Sequence, residues 1–157
     1  MASTQAMCTS FKQELLNGQH QFGTSTLVSR TSLTAPTADV FKMALYLDAA
    51  TLSAATTAYS ATSEVANSGT YAAGGSTITF LAPATSGTTA FVGPTSASTL
   101  SWTTFTATGF SAALVYNSTQ SNKAVSVHTF ASQSITAGTF TITFPTNAAG
   151  TALLNFA

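Results

Sequence analysis

The chain holds few side chains that could do chemistry. They are two histidines (His20 and His128), one cysteine (Cys8), and four acids, Glu14, Asp39, Asp48 and Glu64. Nucleophilic catalysis needs a base beside the nucleophile and a third group to orient that base. Serines and threonines are abundant, but none stands in a G-x-S-x-G elbow. The acids form no local pair that could share acid–base work, and Asp39 and Asp48 bracket a strand at opposite ends. One cysteine and two distant histidines have no recognised metal-ligand spacing. No phosphate or dinucleotide loop is present, and Gly74-Gly75 reads as a turn. The expectation is a protein without catalytic residues, metal or cofactor, and not an enzyme.

Asn117-Ser118-Thr119 matches a glycosylation sequon, yet the run from Asn117 to Asn122 reads better as a polar loop between strands. Basic residues number four (Lys12, Arg30, Lys42 and Lys123) and form no stripe of the kind phosphate binding relies on. No apolar run approaches the roughly 18 residues needed to span a bilayer. Neither nucleic acid nor membrane is therefore an expected partner. The N-terminus lacks the basic start and apolar stretch of a signal peptide, and lone Cys8 cannot form an intrachain disulfide, so cytosolic synthesis is expected.

Composition points towards protein partners instead. Only 5% of the 157 residues are charged and the formal net charge is zero, against roughly 25% charged residues in ordinary globular proteins. A surface of hydroxyls, amides and methyls is cheap to desolvate and does not repel an identical neighbour. A place in an assembly, as a homo-oligomer or among other subunits, follows as the expectation.

The elements that would present such a surface are mostly strands. Residues 1–36 read as an N-terminal helix and extended arm, and residues 37–157 as a β domain. In the first part Ser10 can cap a short helix, with Gln13 as its capping-box partner and Gly18 closing it. Met7, Phe11 and Leu15 recur at spacing four, and this stripe must dock on its own domain or on a neighbour. Met7, Phe11, Leu15 and Leu16 are candidate subunit contacts, and Trp102 is a candidate interface anchor because aromatics are enriched there.

In the second part residues 40–46 alternate as a half-buried strand. Residues 49–58 suggest a short helix or a loop, and Gly69 with Gly74-Gly75 supply turns. Residues 76–82 and 88–92 read as short strands around a turn at 83–87. In 99–108, Leu100 and Trp102 share one parity and Phe105 and Ala107 the other; a bulge near Thr103-Thr104 would bring all four onto one face. Strands follow at 112–116, 124–130, 139–144 and 152–156, and in 139–144 Phe140, Ile142 and Phe144 take one face and Thr139, Thr141 and Thr143 the other. His128 shares strand parity with Ser126 and Phe130, as a surface or interface imidazole would. Seven or eight short strands at this spacing predict a mainly β fold, an antiparallel β-sandwich or barrel-like domain.

The helix at 11–16 (FKQELL), the strand at 41–46 (FKMALY), the turn at 62–75 (TSEVANSGTYAAGG), the strand pair at 114–130 and the late GTFTITFPT at 138–146 together resemble small structural proteins of tailed bacteriophages. The resemblance implies a virion protein, made in the host cytoplasm and most readily placed as a capsid decoration (cement) protein bridging major capsid subunits. A tail or fibre adaptor, or a carbohydrate-binding β module, are the alternative expectations. Thr104 and Thr129 stand where that family often carries acids, so no charged contact is carried over.

Overall fold

The structure is a computed structural model, and it describes residues 3–16, 20, 22–23, 37–95 and 98–156, with the side chains of residues 12–14 and 16 left aside. Two elements open the chain, strand β1 (Ala6–Met7) and helix α1 (Thr9–Leu16). Strands β2 (Phe41–Leu47), β3 (Ser76–Ile78), β4 (Ala84–Ser86) and β5 (Thr89–Val92) follow. The long β6 (Thr99–Asn117) and β7 (Lys123–Thr143) then lead to β8 (Leu154–Phe156). The order β1-β7-β6-β2-β3 makes one antiparallel sheet and β4-β5-β8 a second. The fold is therefore mainly β with two antiparallel sheets and no closed barrel, which resolves the expected sandwich-or-barrel alternative.

The main departure from the expected run of short strands is the β6–β7 hairpin. The segments 99–108 and 112–116 join into the 19 residues of β6, and 124–130 and 139–144 into the 21 residues of β7. Several register shifts along the pair allow this, because each one re-aims the side chains without ending the ladder. The expected bulge is among them. Trp102 pairs with Phe140 and Phe105 with Gly138, so Thr103 and Thr104 together oppose Thr139 alone, and Thr104 has a φ of 50°. Trp102 and Phe105 are both buried as a result.

Strand β2 lies inside the sheet, and burial extends to both of its faces, beyond the half-buried alternation expected of it. Beyond the reach of β3, residues 63–65 complete its edge: the Val65 amide donates to the Leu45 carbonyl and the Leu47 amide to the Ser63 carbonyl, both at 2.9 Å. Residues 49–58 form turns and bridges, not a helix. Gly69 and Gly75 have φ angles of 56° and 71°, as turns require. Both also lie against backbone: a Cβ at Gly69 would collide with the Thr103 carbonyl, and one at Gly75 with the Met43 carbonyl.

The N-terminal segment docks on its own sheet. Ala6 and Met7 pair with Val127 and Ser126, the Cys8 amide donates to the Val125 carbonyl at 3.0 Å, and the Thr9 amide to the Ala54 carbonyl at 2.8 Å. The helix begins one residue earlier than its expected cap. Ser10 thus lies inside it, with a buried hydroxyl lacking a partner among the described residues. Met7 is a strand residue, which shortens the expected helical stripe to Phe11 and Leu15. The expected closure at Gly18, and the arm with its boundary at residue 36, fall outside the described residues apart from His20, Phe22 and Gly23.

Two aromatic clusters form much of the core. Phe22 stacks on Phe41 at 4.7 Å and both meet Phe80 edge-on, while Phe11 meets His20 at 4.8 Å. Trp102, Phe105, Phe110, Phe130 and Phe140 form the second, running along the β6–β7 hairpin.

Candidate functional site

The alternation of β7 places Phe130, Phe140 and Ile142 half-buried on the face that carries its apolar residues. They line a cleft of about 350 Å³ together with Met43, His128 and Leu153. Gln133, Thr141 and Thr143 also line it, the two threonines from a strand parity that turns their side chains to the opposite face. Among the described residues β7 is also an edge for most of its length, since β1, Cys8 and residues 57–58 cover it only over 123–127. An apolar cleft beside an open strand edge suits contact with polypeptide, whose backbone can satisfy the edge while its side chains fill the cleft.

His128 is the one titratable side chain at this cleft. Its Nε2 lies 2.9 Å from the Ser126 hydroxyl. Burial pushes the imidazole down to about 4, so it is neutral at pH 7. A serine beside an imidazole is the first half of a nucleophile–base pair. Here Ser126 is buried, no carboxyl among the described residues bonds the ring, and an imidazole shifted this far is a weak base.

The three acids whose side chains are described, Glu64, Asp39 and Asp48, lie elsewhere and accept hydrogen bonds from neutral donors. Glu64 is buried and accepts from the Tyr59 hydroxyl at 2.6 Å, the Tyr71 hydroxyl at 2.9 Å and the Gly74 amide at 2.6 Å. The other two tyrosines close the surroundings: Tyr116 donates to the Gly74 carbonyl and stacks on Tyr59, and Tyr46 donates to the Ser60 carbonyl. Burial, with Glu64 adding to it, holds all four phenols above their ordinary range, so they remain protonated donors. Asp39 accepts from Asn117 and Gln120. Asp48 is exposed; hydrogen bonds from Ser132 and Ser111 lower its carboxyl below the usual range. Among the described residues no three His, Cys, Asp or Glu side chains gather to hold a metal.

Asn117 is fully buried, and its Nδ2 donates to Asp39 Oδ2 at 2.7 Å. Its Oδ1 accepts from the Thr119 and Gln120 amides, each at 3.1 Å, which fixes the hairpin loop. This position is a loop anchor and not an accessible glycan acceptor.

The expected interface residues lie apart from the cleft or inside the core. Phe11 is 0% exposed and Trp102 is 2% exposed. The Trp102 indole donates to Ser76 Oγ at 2.9 Å, and its ring lies parallel to Phe140. Both residues are therefore packed inside their own chain in this structure. Leu15 and Met7 are partly buried against the same core, and the Leu16 side chain lies outside the described set. Sequence reasoning had the apolar row of 140, 142 and 144 and the parity of His128, but not the open edge. That depends on which strand ends up outermost.

A family model described as SEF14-like adhesin matches residues 24–148. No curated protein and no solved structure matches the chain. The match overturns the expectation of a bacteriophage capsid decoration protein and of a place in the virion: it points to a fimbrial, surface-associated protein, and nothing supports a phage family. Alternating strands and turn glycines carried much of that expected likeness, and unrelated β proteins share both. On a match that spans most of its length, the chain belongs to the SEF14-like adhesin family.

Proposed function

We propose that the protein is a non-enzymatic subunit of a fimbria-type adhesive structure at the cell surface, and that it works through contacts with other polypeptide. The family match over residues 24–148 carries this reading. Three physical features support it. A surface with 5% charged residues and zero net charge offers little resistance to close packing against protein. The cleft and the uncovered part of β7 form a concave apolar site next to unpaired backbone. Glu64, Asp39, Asp48 and His128 are engaged separately, in settings that suit fixed structure better than turnover.

Deletion of the gene tests the reading. Cells lacking the protein should attach to their adherent surface at a small fraction of the parental level, and re-expression should restore attachment. Unchanged attachment in the deletion strain would overturn it.

A further inference from the structure

The β6–β7 ribbon treats its two edges differently. Along β6 the 68–70 loop closes the outer edge at residues 103–106: the Thr70 amide donates to the Thr103 carbonyl, the Thr103 amide to Thr70 Oγ1 and the Thr106 amide to Ser68 Oγ. Along β7, residues 138–143 have β6 on one side and, among the described residues, no backbone hydrogen bond on the other. The outermost strands of the two sheets, β1, β3, β4 and β8, are only two or three residues each. Proteins usually protect a long edge with lysine, proline, an inward charge or a bulge. Residues 138–143 (GTFTIT) have no charge or proline, and the bulge around Ala137, with a φ of 49°, lies just before them.

We infer that this edge pairs with the same edge of a second copy of the chain, antiparallel about a two-fold axis through Thr141. In that register Thr139 opposes Thr143 of the other copy, Thr141 opposes its equivalent, and Phe140 opposes Ile142. Thr–Thr and aromatic–β-branched pairs are favourable cross-strand partners. Thr139, Thr141 and Thr143 are exposed and Phe140 and Ile142 half-buried, so one face of the joined sheet is a threonine ladder and the other unites two apolar clefts. The zero net charge leaves no long-range repulsion between copies. This pairing goes beyond the adhesin reading and does not rest on it.

Sedimentation velocity of the full chain over a concentration series tests the inference. The expected result is a reversible dimer, with amide hydrogen exchange at 138–143 slowing as concentration rises. Thr141→Lys places two like charges opposite each other on the axis and should weaken dimerisation by at least about tenfold. Thr85→Lys, on exposed β4, should leave it unchanged. Circular dichroism would establish that each variant is folded. A chain that stays monomeric at every concentration overturns the inference. So does a dimer that Thr141→Lys leaves intact and that gives 138–143 no protection, since another surface must then form it. A dimer from a protein that plays no part in attachment would sink the adhesin reading and leave the edge pairing standing.

Discussion

At the scale of single residues, neutral hydroxyls and amides do much of the work of holding polar groups in this protein. Glu64 is the clearest case, a buried carboxyl with two phenols and a backbone amide around it. His128 has a consequence that can be measured. Its folded-state value is about 4, below the ordinary 6.5, so the unfolded chain binds a proton in that window that the folded chain does not. Stability is then fully present above about pH 6.5 and falls as the pH drops towards 4. Between pH 7 and pH 4.5 urea denaturation should register a loss of about 2 kcal/mol from this group. His128→Gln should remove that part of the pH dependence; an identical pH profile for the variant would show that burial of His128 does not control it.

At the scale of elements, the sequence was most informative where side-chain parity and turn glycines act locally. The bulge at Thr103-Thr104 could be inferred because Leu100, Trp102, Phe105 and Ala107 can share a face only if the ladder slips there. The turns at Gly69 and Gly74-Gly75 and the loop after Asn117 were legible because special φ values and polar caps are local requirements. Strand lengths were not, since the breaks at 109–111 and 131–138 have the appearance of loops. Gly109 has a φ of 63° and Ala137 one of 49°, yet the ladder continues through both as irregularities. The cleft was half legible: the apolar row on β7 could be seen, but an edge exists only once all the pairings are fixed. The helix begins at Thr9, two residues before the first helical position that a Ser10 cap implies, and its destination was open. It docks on its own sheet and buries Phe11 completely against His20 and Phe22. Phe11→Ala should therefore cost about 3–5 kcal/mol in chemical denaturation. A loss below about 1 kcal/mol would mean that the N-terminal segment is not part of the core.

At the scale of the whole molecule, two antiparallel sheets and a long hairpin carry very little charge. That shortage of ionised groups was read as a mark of contact with protein, and it could not say which assembly. Composition of this kind is shared by shell proteins and surface proteins, and only the family match separates them. The account rests on residence at the cell surface. Immunogold electron microscopy of intact, unpermeabilised cells is the most direct measurement of it. Label along the outer surface, absent from a deletion strain and lost on mechanical shearing, is the predicted result. Label that appears only after permeabilisation, within the cell, would contradict the account.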